Sequence, residues 1–155
     1  MAKMHYPYVV PIQMRWQDVD QIQHVNNTKL LTYCEESRIR FLKNDLDWDF
    51  QRTGIVVARI EADYKRPLFY PNEIIVKLAC TRMGNTSMTL DQVICSAKNE
   101  DEVFMVSKIV VVTLNPETGE PTMVPDYVRE KIIVSSPEPN QELSWVTSDS
   151  GEINL

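Results

Sequence analysis

The sequence predicts an α+β domain in which an antiparallel sheet wraps around one long helix. Three observations predict it. Only one long stretch, the one after Asn27, repeats its apolar residues at helical spacing. Four strand-like runs follow it, separated by turn residues rather than by helices. A doubly wound parallel sheet would need helices between those runs, and the sequence has none there.

Taken in order, residues 1–7 read as a loose end. Tyr8 to Trp16 reads as the first strand, and Pro11 within it points to an edge or a bulge. Asn27, with Asn26 or Thr28, caps the first helical turn. Leu30, Cys34 and Phe41 recur at roughly helical spacing, with Leu31 and Leu42 alongside. Glu36 and Arg40 stand four apart in the favoured order, and Asn44 is the stop. In the second strand Val56, Ala58, Ile60, Ala62 and Tyr64 alternate with Arg59, Glu61, Asp63 and Lys65, which predicts one buried and one charged face. The third strand, Glu73 to Met83, turns at Gly84 and Asn85 into a fourth, Ser87 to Lys98. Val103 to Leu114 is the most apolar run and is expected to be the most buried. Pro125 opens a short helix to about Lys131. Residues 135–155 hold two prolines and four acids without one Lys or Arg, and read as a flexible acidic tail on a single domain of residues 1–134.

At 155 residues the chain fits one domain able to bury a core of its own. A net charge of −6 argues against nucleic acid or an anionic membrane surface as partner. No apolar run approaches a membrane span, and the N-terminus lacks the apolar core of a signal peptide. Cys34, Cys80 and Cys95 each fall inside a predicted element and read as reduced core thiols. With His5 and His24 the only histidines and no CxxC pair, no zinc site is expected. The chain reads as cytoplasmic.

The candidate site is the loop from Arg15 to Asn27. Two aspartates, Asp18 and Asp20, precede a helix start, where free backbone N–H groups and the positive end of the helix dipole gather. That places a base beside a stabiliser of negative charge. Asp18 takes a structural role, bonding the loop backbone. Cys34 lies on the apolar stripe and reads as packing.

The loop, Asp18 to Asn27, reads Asp-Val-Asp-Gln-Ile-Gln-His-Val-Asn-Asn, and the helix continues as Tyr33, Cys34, Glu35, Glu36, Ser37, Arg38. This resembles the hotdog-fold acyl-CoA thioesterases of the 4-hydroxybenzoyl-CoA thioesterase type, whose loop reads roughly Asp-x-Asp-x-x-Gly-His-Val-Asn-Asn. The resemblance runs through Pro67 and the turn from Met83 to Ser87, and covers about residues 8 to 131. It implies a hotdog fold, an acyl-CoA substrate, and a homodimer or dimer of dimers joined through the sheet. It implies Asp20 as the catalytic carboxylate and the backbone N–H at Asn27 as the group that polarises the thioester carbonyl. Two positions depart from the pattern. Gln23 replaces the usual glycine, so a residue with a Cβ must adopt positive φ. Leu30 stands where an aromatic is common, which bears on the acyl group that fits.

A thioester is already activated, so its hydrolysis needs no metal or cofactor, only a base or nucleophile and donors aimed at the developing oxyanion. Asp20 suits either role. His24 and Asn26 are the loop's further candidate substrate-binding residues. Lys65, Arg66 and Arg82 are candidates for the phosphates of coenzyme A, with ordinary surface charge as the alternative reading. Two rival functions keep the same fold. One is a non-catalytic acyl-CoA-binding module, favoured by Gln23; the other is a hydratase or dehydratase using His24 and Asp20 as an acid–base pair.

Overall fold

In chain order the elements are β1 (Tyr8–Ile12), a single 3-10 turn (Trp16–Asp18), α1 (Asn27–Asn44), β2 (Gly54–Tyr64), β3 (Ile74–Met83), β4 (Ser87–Ser96), β5 (Val103–Leu114) and α2 (Asp126–Lys131). The computed structural model describes residues 4–132 and Val134. The strands form one antiparallel sheet in the order β1-β3-β4-β5-β2. The expected tail, residues 135–155, lies outside the described residues.

α1 buries Leu30, Tyr33, Cys34, Ser37, Arg38, Phe41 and Leu42 and packs chiefly over β1, β3 and β4. The Phe41 ring lies 4.4 Å from that of Tyr8. Polar bonds also fix the helix: Gln92 Nε2 on β4 donates to Cys34 O (2.8 Å) and to Ser37 Oγ (3.0 Å). Such bonds set one rotation and one height for α1, which apolar packing alone does loosely. The β3–β4 turn forms where expected. A Cβ on Gly84 would meet Ser87 Oγ at 2.9 Å, and Arg129 of α2 clamps the turn by donating to Gly84 O and Asn85 O, both at 2.7 Å.

The strands depart from expectation in position more than in existence. β1 ends at Ile12 rather than Trp16, because the chain turns into the 3-10 segment before the loop. Pro11 sits on this edge strand, where its missing N–H matters least. β3 begins one residue later than expected and β4 ends two earlier. The most buried strand is β4, not β5. β4 is the middle strand of the sheet and is buried continuously from Leu90 to Ser96, whereas β5 alternates buried and half-buried positions beside the edge strand.

β2 departs most. Val56, Val57, Ile60 and Tyr64 each keep at least 40% of their surface exposed. β2 is the other edge of the sheet, while α1 packs chiefly over β1, β3 and β4. A bulge at Ala58 also breaks the alternation, so Val57 and Ile60 share the helix-side face through their partners Val111 and Ile109. Of the stretch expected to be loose, residues 1–3 lie outside the described residues, and Tyr6 is half-buried, with the Lys77 ammonium 5.6 Å from its ring centre. Among the described residues, no helix is long and apolar enough to cross a membrane.

Candidate active site

The loop before α1 closes on itself through Asp20. Its N–H donates to His24 O (2.8 Å), its carbonyl accepts from Gln23 N–H (3.0 Å), and its carboxylate Oδ1 accepts from the N–H groups of Ile22 (3.0 Å) and His24 (3.2 Å). Aspartate suits this position because its short side chain reaches its own backbone two residues on. The second oxygen, Oδ2, makes no hydrogen bond with a described residue, and Asp20 is half-buried. Gln23 completes the turn at φ 65°, the left-handed conformation that glycine adopts without strain.

Asp18 takes the structural role expected of it, with side chains as partners besides the loop backbone. Its carboxylate is buried, accepts from Tyr33 Oη at 2.7 Å and lies 3.6 Å from Lys29 Nζ, while its carbonyl accepts from Asn26 N–H (3.0 Å). Burial, followed by the bond to Asp18, pushes the Tyr33 phenol well above its ordinary pKa. Asp18 thus anchors the loop to α1.

At the helix start, Asn26 is the N-cap, and its Oδ1 accepts from Thr28 N–H at 2.9 Å. Lys29 and Leu30 N–H groups donate to Asn26 O. Among the described residues, the Asn27 N–H finds no acceptor. It is a free donor on the first residue of an 18-residue helix, where the dipole favours negative charge.

These groups border one open cleft of about 570 Å³, lined by Asp20, Ile22, His24, Asn26, Asn27, Leu30, Tyr64, Lys65, Arg66 and Leu68 among others. The cleft unites Asp20, His24, Asn26, Asn27, Lys65 and Arg66. It does not include Arg82. Arg82 pairs in register with Thr89 near the β3–β4 turn, whereas Tyr64, at the cleft, pairs with Met105 toward the other end of the sheet. Strand length alone separates them. The Lys65 ammonium lies 3.3 Å from Asp63 Oδ2, and the Arg66 guanidinium makes no ion pair with a described residue. The His24 ring packs edge-on against Phe69, with centres 4.6 Å apart.

Sequence reasoning missed Tyr64 and Leu68 as site residues. Tyr64 Oη donates to Asn27 O at 3.4 Å, and Leu68 O accepts from Val25 N–H at 2.8 Å, so the segment after β2 forms the cleft's second wall. The only available signal was their proximity in sequence to Lys65 and Arg66.

The family model of the thioesterase-like superfamily matches residues 14–132, a span that contains the loop, the helix and the whole cleft. The chain belongs to that superfamily. A predicted thioesterase from Bacillus stearothermophilus is 30% identical, with 84% of this chain and 98% of that one covered at a TM-score of 0.74. A thioesterase from Thermus thermophilus, solved with coenzyme A and zinc, is 32% identical, with 82% and 92% covered at a TM-score of 0.69. The long-chain acyl-CoA thioesterase FadM of Escherichia coli K12 is 27% identical over 124 residues, 78% of this chain and 93% of that protein. The sheet and single long helix are those of the hotdog thioesterases, and the enzyme class expected from the sequence, an acyl-CoA thioesterase, is supported by these thioesterase relatives and is the activity for which FadM is named.

Proposed function

We propose that the protein hydrolyses an acyl-CoA thioester to the free acid and coenzyme A, with Asp20 as the reacting carboxylate and the Asn27 N–H as the oxyanion donor. The observation that carries this reading is the meeting, in one cleft, of a carboxylate with one unbonded oxygen and a helix N-terminal N–H without an acceptor. The thioester carbonyl accepts from Asn27 N–H. As the carbonyl carbon becomes tetrahedral its oxygen gains negative charge, and the N–H and the helix dipole stabilise it more than they stabilise the substrate. One such donor contributes about 3–4 kcal/mol in comparable sites.

Asp20 Oδ2 acts on the same carbon by one of two balanced routes. As nucleophile it forms a C–O bond, the C–S bond breaks to release coenzyme A thiolate, and water then hydrolyses the mixed anhydride. As general base it takes a proton from water while that water attacks, and the proton passes to the departing sulfur. Both routes use the same tethered geometry. Lys65 and Arg66, on the cleft wall, supply positive charge toward the phosphates of coenzyme A. Leu30, 2% exposed at the cleft floor, limits the acyl end.

The open β2 edge supports a homodimer with the two sheets joined edge to edge, since soluble proteins avoid leaving a long apolar edge unpaired. The three cysteines are buried and form no disulfide among the described residues, which fits a reducing cytoplasm. A panel of acyl-CoA esters read by free-thiol release tests the activity. Thiol release from at least one chain length is expected, and a folded protein inert on every ester would overturn the proposal. Light scattering at micromolar concentration should give twice the chain mass; a monomer would refute the dimer.

A further inference from the structure

Arg38 is 6% exposed, yet its guanidinium makes no hydrogen bond or ion pair with a described residue. A buried cation without a partner is strongly unfavourable. The guanidinium is not sealed in, however. Among the described residues, the only fully enclosed side-chain nitrogen or oxygen lacking a partner is Gln92 Oε1, so the Arg38 nitrogens still meet the surface. Glu35, three residues earlier, is exposed and also makes no ion pair or hydrogen bond with a described residue. Burial lowers the Arg38 pKa and Glu35 is the first influence opposing that, so the two groups feel each other without touching.

Their direction follows from helix geometry. Glu36 and Arg40 occupy the flank of α1 over β1, where Arg40 donates to Pro11 O at 2.9 Å and Glu36 pairs with Arg15 at 3.3 Å. Cys34, 3.8 Å from Ser107, faces β5. At 3.6 residues per turn, Arg38 and Glu35 lie beyond Cys34 on the opposite flank, toward β5 and β2. That is the side of the open edge, where Val57 and Ile60 are exposed on the helix-side face.

We propose that this flank of α1 is a self-complementary docking surface for a second copy of the chain, in which each Arg38 pairs with the partner's Glu35. The inference rests on the dimer proposed above and specifies the contact that orients it. Under two-fold symmetry a contact from Arg38 to Glu35 occurs twice, so a single arrangement satisfies all four charges. Within the one chain the pair is not made, since Glu35 stands within reach of the field of Arg38 but outside bonding distance. The contact also sets α1 across the axis, and with it the position of the Asn27 N–H relative to the partner's sheet.

Charge reversal tests the pair, with dimer dissociation followed by analytical ultracentrifugation on dilution. Glu35→Arg, an exposed position, should leave circular dichroism unchanged and weaken the dimer roughly 30-fold or more. Arg38→Glu should weaken it similarly, and the double variant E35R/R38E should return to within about threefold of the parent. If Arg38→Glu fails to fold, Glu35→Arg alone still decides. A dimeric parent whose Glu35→Arg variant dissociates as the parent does would overturn the pair while leaving the dimer standing. A monomeric parent would overturn both.

Discussion

Asp20 and His24 are bonded to each other twice through the loop: Asp20 N–H donates to His24 O at 2.8 Å, and His24 N–H donates to Asp20 Oδ1 at 3.2 Å. One carboxylate oxygen is thereby spent on holding the loop, and the other is left for chemistry. On the proposed mechanism, this division lets a single aspartate serve as both a turn residue and the reacting carboxylate. It also means that substitutions in the loop separate into those that loosen it and those that remove the reacting charge.

Asp18→Asn belongs to the first kind. Asp18 is buried and accepts from Tyr33 Oη, with Lys29 nearby. Removing its charge should cost about 1.5–3 kcal/mol of stability, the range for a hydrogen bond to a charged group. Turnover of the folded fraction should change little. Urea unfolding beside thiol release checks both, and a large loss of turnover at unchanged stability would place Asp18 in the chemistry instead.

Gln23→Gly tests the departure from the family loop. At φ 65° the glutamine carries left-handed strain that glycine would relieve, by about 1–2 kcal/mol. Glycine also loosens the unfolded chain, which offsets roughly 0.4–1 kcal/mol of that gain. Stability should therefore rise slightly or hold, and activity should equal or exceed the parent's. A tenfold drop in turnover, well outside that expectation of about no loss, would show that the Gln23 side chain itself contributes.

Asp91 makes stability depend on pH. Burial raises its pKa and Glu61 adds to the rise, while Lys108 and the 3.1 Å bond from Thr81 Oγ1 oppose it. The folded pKa lies above the unfolded one. As pH climbs past 3.8, the unfolded chain ionises first, so this group's contribution is intact below that value and is lost as pH rises through the folded pKa. Asp91→Asn removes the loss. Its melting temperature, relative to the parent, should be more favourable at pH 7 than in mild acid, and the opposite order would contradict the assignment.

The loop and helix were legible in the sequence because their signals are local. The Asn26 cap and the stripe through Leu30, Cys34 and Phe41 follow from residues within a few positions, and the positive φ at Gln23 follows from the glycine that the family pattern has there. The exposure of Val56 and Ile60 was not legible. Their alternation reads the same in an edge strand as in a central one, and only the strand order β1-β3-β4-β5-β2 distinguishes them. The separation of Arg82 from the cleft was not legible for a related reason, since its charge is local information but its distance from the cleft is set by the run of β3. Tyr64 reached the site through a contact with Asn27, 37 residues away in sequence, that no spacing rule reports.

The central claim is that the free oxygen of Asp20 does the chemistry, and Asp20→Asn tests it most directly. The amide keeps one carbonyl oxygen to accept from Ile22 and His24 N–H, so the loop should hold and the melting temperature should stay near the parent's. What is lost is the charge. Turnover, measured by thiol release on the best acyl-CoA ester, should fall by about 100-fold or more, the low end of what a positioned acid or base contributes. The KM should change little, because a carboxylate beside an uncharged thioester acts mainly in the transition state. A folded Asp20→Asn variant that hydrolyses at near the parent rate would contradict the account.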